Sequence, residues 1–129
     1  MNRAKDAVRE DEEQMMLFDW AAMRQGKWPE LKLMYHVPNE GKRSIATAML
    51  QKHMGLKNGV PDICLPVARG GWHGLYIELK RAHGGKLTAS QREWLTALEG
   101  QGYRAVRCDG WSEAAQAIER YLLERDVRH

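Results

Sequence analysis

Two stretches of the chain alternate apolar and polar side chains with a period of two. In residues 62–67, Ile63, Leu65 and Val67 share one face and Asp62, Cys64 and Pro66 the other. In residues 72–80, Leu75, Ile77 and Leu79 share one face and Tyr76, Glu78 and Lys80 the other. Such alternation predicts two half-buried strands, and the Arg69-Gly70-Gly71 segment between them predicts a hairpin turn. Around this pair the pattern changes to a helical period. Residues 4–25 predict a helix on which Glu10, Gln14, Leu17, Phe18 and Ala21 share a face, stopped by Gly26 and Pro29. Residues 31–37 predict a strand, 44–54 a short helix, and 103–108 another strand. Thr88-Ala89-Ser90-Gln91 fits a capping box that opens a helix to about residue 98, with Trp94, Leu95 and Leu98 apolar. Ser112 is the expected cap of a last helix carrying Ala115, Ile118 and Leu122. The order α-β-α-β-β-α-β-α predicts a mixed α/β fold.

The two predicted strands have only one sensible register. Both apolar faces must lie on the same side of the sheet, and a slip by one residue would reverse one of them. Pairing Leu65 with Leu75 and Ile63 with Ile77 satisfies this and requires a loop of odd length, such as the three residues Arg69-Gly70-Gly71. The same register places Asp62 across from Glu78 on the polar side, where opposed residues lie about 4.5–5.5 Å apart. Lys80 follows on that face, two residues along.

Length and composition place this constellation in one domain spanning residues 1–129. With 43% hydrophobic and 29% charged residues, a chain of 129 can bury a core without staples. No run of eighteen apolar residues exists, so no membrane span is expected. The opening Met1-Asn2-Arg3-Ala4-Lys5-Asp6 lacks the apolar stretch of a signal peptide, and a cytoplasmic location is the expectation. Cys64 and Cys108 have no zinc-like spacing to other cysteines or histidines and are expected as reduced thiols in or near the core. The net charge is +3, but Glu10, Asp11, Glu12 and Glu13 concentrate negative charge near the start. The rest of the chain is therefore more basic than the total suggests, which suits a polyanionic partner as well as a solvated surface.

Two carboxylates held face to face repel, and a divalent cation resolves the conflict. Mg²⁺ takes hard oxygen ligands, typically one or two carboxylates completed by water and phosphate oxygens. The expected cofactor is Mg²⁺ or Mn²⁺ at Asp62 and Glu78, with no small-molecule cofactor. Lys80 is expected to orient an attacking water and stabilise negative charge in the transition state. The alternative is an ordinary ion-pair cluster of Asp62, Glu78 and Lys80.

Pro61-Asp62 followed by Glu78-Leu79-Lys80, in this order of elements, resembles the PD-(D/E)XK nuclease superfamily with its restriction-endonuclease-like core. More narrowly, His36-Val37-Pro38-Asn39-Glu40-Gly41-Lys42-Arg43, Gly59-Val60-Pro61-Asp62, Gly74-Leu75-Tyr76-Ile77-Glu78-Leu79-Lys80 and Gln91-Arg92-Glu93-Trp94 resemble the stand-alone VRR-NUC domains of phages and bacteria. The likeness runs over residues 10–123, nearly the whole chain.

That resemblance implies a fold, an activity and a residue set. Asp62 and Glu78 would bind metal and Lys80 would be the catalytic lysine. A glutamate of the first helix would join them, with Glu10 favoured over Glu13 because it lies on the packing face. Gln91 would complete the catalytic set, unless its role is the capping box alone. Asn39, Lys42 and Arg43 are candidates for DNA phosphate contact. His36 is read as structural, Trp72 and Tyr76 as candidates for stacking on bases, with covering the metal site as the alternative for Tyr76, and Trp20, Trp28, Trp94 and Trp111 as packing. The implied activity is a metal-dependent, structure-selective DNA endonuclease, a Holliday-junction resolvase acting as a homodimer on four-way junctions. A flap or restriction-like nuclease is the alternative on the same site, and a DNA-binding module with a vestigial nuclease site is the alternative of another class.

Overall fold

A computed structural model of the chain describes residues 3–38 and 44–124, and for residues 3–9 the backbone only. The helix α1 (Arg3–Met23) leads through a 3₁₀ turn, Pro29–Leu33, into the short strand β1 (Tyr35–His36). Helix α2 (Ile45–His53), strands β2 (Ile63–Leu65) and β3 (Leu75–Lys80), helix α3 (Ala89–Gly100), strand β4 (Arg104–Asp109) and helix α4 (Trp111–Leu123) follow. The sheet order is β1-β2-β3-β4, antiparallel between the first three strands and parallel between β3 and β4. This is the mixed sheet and the element order that the hydrophobic pattern predicts.

The core forms on one face of the sheet. Leu17 and Ala21 of α1 and Ala114, Ala115, Ile118 and Leu122 of α4 pack on Ile63, Leu65, Leu75, Ile77 and Leu79. These strand residues are the two apolar faces of the sequence pattern, brought to one side by the pairing Ile63–Ile77 and Leu65–Leu75. Cys64 and Cys108 are both buried free thiols. Trp20, Trp28 and Trp111 pack at the margin of the core. Trp94 instead donates its indole N–H to the Asn58 carbonyl at 3.0 Å, tying α3 to the loop before β2.

The hairpin keeps the predicted register by a different route from the predicted three-residue loop. Arg69 and Trp72 exchange backbone hydrogen bonds of 3.2 and 2.8 Å, so the loop proper is Gly70-Gly71, with φ of 55° and 84°. Positive φ at both central positions is what a two-residue hairpin turn demands, and glycine adopts it without strain. Between this turn and the Leu65–Leu75 pair, one more residue stands on the first side than on the second. The surplus is taken up at Pro66, where the Val67 N–H bonds back to the Leu65 carbonyl at 2.9 Å in a γ-turn. Proline suits the centre of an inverse γ-turn because its ring fixes φ near the required value. Regular pairing is accordingly confined to Ile63–Leu65 and Leu75–Lys80, inside the longer segments that alternation suggests.

Two other expectations are corrected. Residues 31–37 do not form one strand. Pro29 stands in the first turn of the 3₁₀ segment, and the buried residues Leu31 and Met34 recur at three, the period of that helix. Only Tyr35 and His36 pair, opposite Cys64 and Ile63. Nor does Ser112 cap α4. The cap position is Gly110, and the Trp111 N–H of the first turn is satisfied from across the molecule by Glu13 Oε1 at 3.1 Å. By contrast, Thr88 caps α3 in the expected capping box, and Ser44 caps α2 by accepting from the Thr47 N–H.

Candidate active site

Opposite the core, Glu78 and Lys80 emerge from β3, and Asp62 stands immediately before β2. The Ile63–Ile77 pair continues by one step to bring Asp62 opposite Glu78. The Leu79 N–H donates to Asp62 Oδ2 at 2.9 Å, so the carboxylate is held in the place where a ladder bond would otherwise run. The Lys80 ammonium lies 3.5 Å from Glu78 Oε2, and Glu78 Oε1 is buried with no hydrogen-bond partner among the described residues. All three side chains are deeply buried, at 8%, 3% and 6% exposure for Asp62, Glu78 and Lys80. Burying such charges costs several kcal/mol per ion by order of magnitude unless they are paired, and here two negatives share one lysine.

That imbalance is visible in the proton affinity of Glu78. Its pKa is pushed from 4.5 up to about 8, first by burial and then by the Asp62 carboxylate, with the Lys80 ammonium acting in the opposite direction. Glu10 is raised in the same sense, by burial first. The charges it feels most are Lys80, Asp62 and Arg81, so its carboxyl belongs to the electrostatics of this site. Glu13 is committed elsewhere: Oε2 accepts from the Ala82 N–H at 3.1 Å while Oε1 holds the Trp111 N–H. Glu10 and Glu13 are thereby divided, one within the field of the buried carboxylates and the other fastening α1 to α4 and to the chain beyond β3.

Gln91 does both things that its position allows. Its backbone N–H donates to Thr88 Oγ1 at 3.1 Å and its Oε1 accepts from the Thr88 N–H at 2.9 Å, closing the capping box. The same Oε1 accepts from Lys80 Nζ at 2.9 Å. An oxygen with two lone pairs serves both donors, and the helix cap fixes the lysine. The loop before Asp62 is locked against this helix start at Gly59, whose φ is +88° and where an added Cβ would lie 2.5 Å from Ser90 Oγ. Only glycine fits that conformation and that approach.

The donor set fits a hard divalent cation. A hard ion would meet oxygen ligands only, and the orphaned Glu78 Oε1 is a buried acceptor that such an ion would satisfy. No three His, Cys, Asp or Glu side chains among the described residues already converge as a closed cage, and Mg²⁺ usually needs none, since water and substrate phosphate complete its shell. The predicted phosphate-contact residues Asn39, Lys42 and Arg43 lie outside the described residues. His36 is exposed on the edge strand β1. Arg81, next to Lys80, also lies in the field of Glu10, and its guanidinium donates to the His83 and Gly84 carbonyls.

Comparison with known proteins shows the family. The family model described as the VRR-NUC domain matches residues 5–111. A solved structure titled VRR_NUC domain protein is 32% identical, with a TM-score of 0.78, and the alignment covers 91% of this chain and 90% of that one. A search of curated proteins gives no match. Among the described residues no helix is long and apolar enough to cross a membrane.

Proposed function

Because the chain belongs to the VRR-NUC domain family, a family of nucleases, we propose that it is a Mg²⁺- or Mn²⁺-dependent DNA endonuclease, selective for branched DNA and acting as a homodimer on four-way junctions. The observation that carries this reading is the buried trio of Asp62, Glu78 and Lys80, with two carboxylates for one lysine.

Asp62 and Glu78 would hold the cation, with Glu10 beside them. The ion, when bound, supplies Lewis-acid polarisation of the phosphate and acidifies a water ligand. Lys80 stays fixed by Gln91, and its ammonium orients the attacking water and balances negative charge as it grows on the phosphoryl oxygens. Glu78 binds its proton more tightly than an ordinary glutamate, so that proton must leave before the carboxylate can serve as a ligand. The buried setting strengthens each of these interactions by excluding water.

A homodimer would suit a substrate with two-fold symmetry, since each copy would cut one of two related strands. Ile45, Met49 and Leu50 on α2 and Met54 at its C-cap are exposed, and exposed apolar side chains of this kind are what a second copy would cover.

The test is cleavage of four-way junction, flap, linear duplex and single-stranded DNA in Mg²⁺, Mn²⁺ or EDTA. Paired cuts near the crossover that need the metal are the expected result. Preference for flap or duplex would replace the junction substrate while keeping the site. Binding without cleavage in every metal would make the chain a DNA-binding module. Glu78→Ala and Lys80→Ala should each abolish cleavage while retaining DNA binding; an active variant would displace the chemistry from this site.

A further inference from the structure

One row of residues runs across the whole sheet on the face that carries the buried carboxylates. Tyr35 of β1 pairs with Cys64 of β2, Cys64 with Tyr76 of β3, and Tyr76 with Ala105 of β4. Two residues further along β3 from Tyr76 stands Glu78, about 6–7 Å away on the same face. The row is aromatic where it is accessible. Tyr35 is 49% exposed, Tyr76 and Tyr103 are half-buried, and none of the three belongs to the core.

The tyrosines are also fixed in place. Tyr35 and Tyr76 stand on either side of Cys64 in the register, and the Cys64 thiol together with burial raises the pKa of both phenols, so the two rings share one environment across β2. Tyr76 meets Tyr103 edge to face, with centroids 5.5 Å apart, and Tyr103 meets His73 likewise at 5.6 Å. A pre-set aromatic platform loses little conformational entropy when a ligand settles on it.

We propose that this row binds unpaired nucleobases of the strand whose backbone passes the carboxylates. The proposal rests on the nuclease reading of Asp62, Glu78 and Lys80, and adds the part of the substrate that is recognised beside the cut. Aromatic side chains stack on bases irrespective of sequence, but only where the base faces are not closed by pairing and stacking in a duplex. A tyrosine row one step from the reacting phosphate therefore selects DNA with open nucleotides at that position, such as a branch point or a single-stranded flank. Selection by this route reads DNA structure and leaves sequence unread.

The experiment uses the full chain, in calcium so that DNA is held without cleavage. The probes are a blunt duplex and duplexes with a 5′ or a 3′ single-stranded extension, with 2-aminopurine at the terminal pair of the blunt duplex and at the first unpaired nucleotide of each extension. Stacking should quench the 2-aminopurine on the extended duplexes. Tyr35→Ala should relieve the quench and weaken binding to an extended duplex by at least about fivefold, the low end for one stacked base. The blunt duplex should bind as before, and Tyr35→Phe should behave as wild type because the ring remains. Tyr76→Leu, compared with Tyr76→Phe, repeats the comparison nearer the carboxylates. Equal losses on blunt and extended duplexes, a Phe variant as weak as the Ala variant, or no quench at all would each overturn the proposal. Since the readout is binding, quenching by a protein that cuts nothing would sink the nuclease reading alone, and cutting without quenching would sink the tyrosine row alone.

Discussion

Replacing Glu78 by glutamine removes a charge while keeping the shape, and its effect on stability follows from the burial of that side chain. The folded protein holds the Glu78 proton up to about pH 8, whereas the unfolded chain releases it near 4.5. Below pH 4.5 both states are protonated and the site costs nothing by this route. Between 4.5 and about 8 the folded state binds the extra proton, so stability falls as pH rises, and above that window the loss is complete. At about 1.4 kcal/mol per pH unit, the ceiling is roughly 5 kcal/mol. The Asp62 repulsion is shared between two groups, and local relaxation softens a buried ion, so about 2 kcal/mol is the working expectation. For a domain of this size that is a rise of roughly 6 °C in Tm. Glu78→Gln should therefore melt higher than wild type at pH 9 and level with it near pH 4.5, followed by circular dichroism in EDTA. Adding Mg²⁺ at pH 9 should close the gap by stabilising wild type alone, as a ligand bound only by the folded state does. A variant that melts lower at pH 9, or by the same margin at both pH values, would refute the argument that uncompensated charge at Glu78 strains the fold.

Glu10 and Glu13 should separate cleanly. Glu13→Ala removes the acceptor for both the Ala82 and Trp111 N–H groups and should cost about 1–3 kcal/mol in urea denaturation, with cleavage per folded molecule unchanged. Glu10→Gln should leave the urea midpoint near wild type and lower cleavage at least about tenfold, a loss of about 1.4 kcal/mol in transition-state stabilisation; the reverse pattern would exchange their assignments. Thr88→Ala breaks the capping box and should cost about 1 kcal/mol. Gly59→Ala should lower stability by more than about 1 kcal/mol because its φ is positive. Adding Ser90→Gly should restore only part of that loss, since it removes the Ser90 Oγ and Cβ that the new Cβ would strike but leaves the Ser90 backbone carbon 2.8 Å away; full rescue would mean that the Ser90 side chain alone demands the glycine.

The register of β2 and β3 was legible because Ile63, Leu65, Leu75 and Ile77 admit one pairing that keeps a single apolar face. The hairpin that realises it was not. Alternation reports which side a residue faces, and Pro66 absorbs the odd residue by a backbone hydrogen bond that leaves no mark on that pattern. Strand β1 was misread for a related reason: Leu31 and Met34 are apolar in both a strand and a 3₁₀ turn, and only Pro29 decides between them. Helix α4 carries no legible cap because its partner, Glu13, lies 98 residues away.

The site itself divides along the same line. Asp62, Glu78 and Lys80 were placed together by strand period, and Gln91 at the start of α3 by its distance from Thr88, all local relations, while only the family resemblance assigned Gln91 to the site. What the sequence did not reveal is how deeply the trio is buried. On the polar side of a strand pair such residues would ordinarily be solvated, and a carboxylate in water shares its repulsion with the solvent. Here Glu78 is 3% exposed, so it either keeps a proton or meets a cation. The burial turns a common tripeptide into a group whose protonation is out of the ordinary, and that is the property by which a buried carboxylate cluster is distinguished from a surface ion pair.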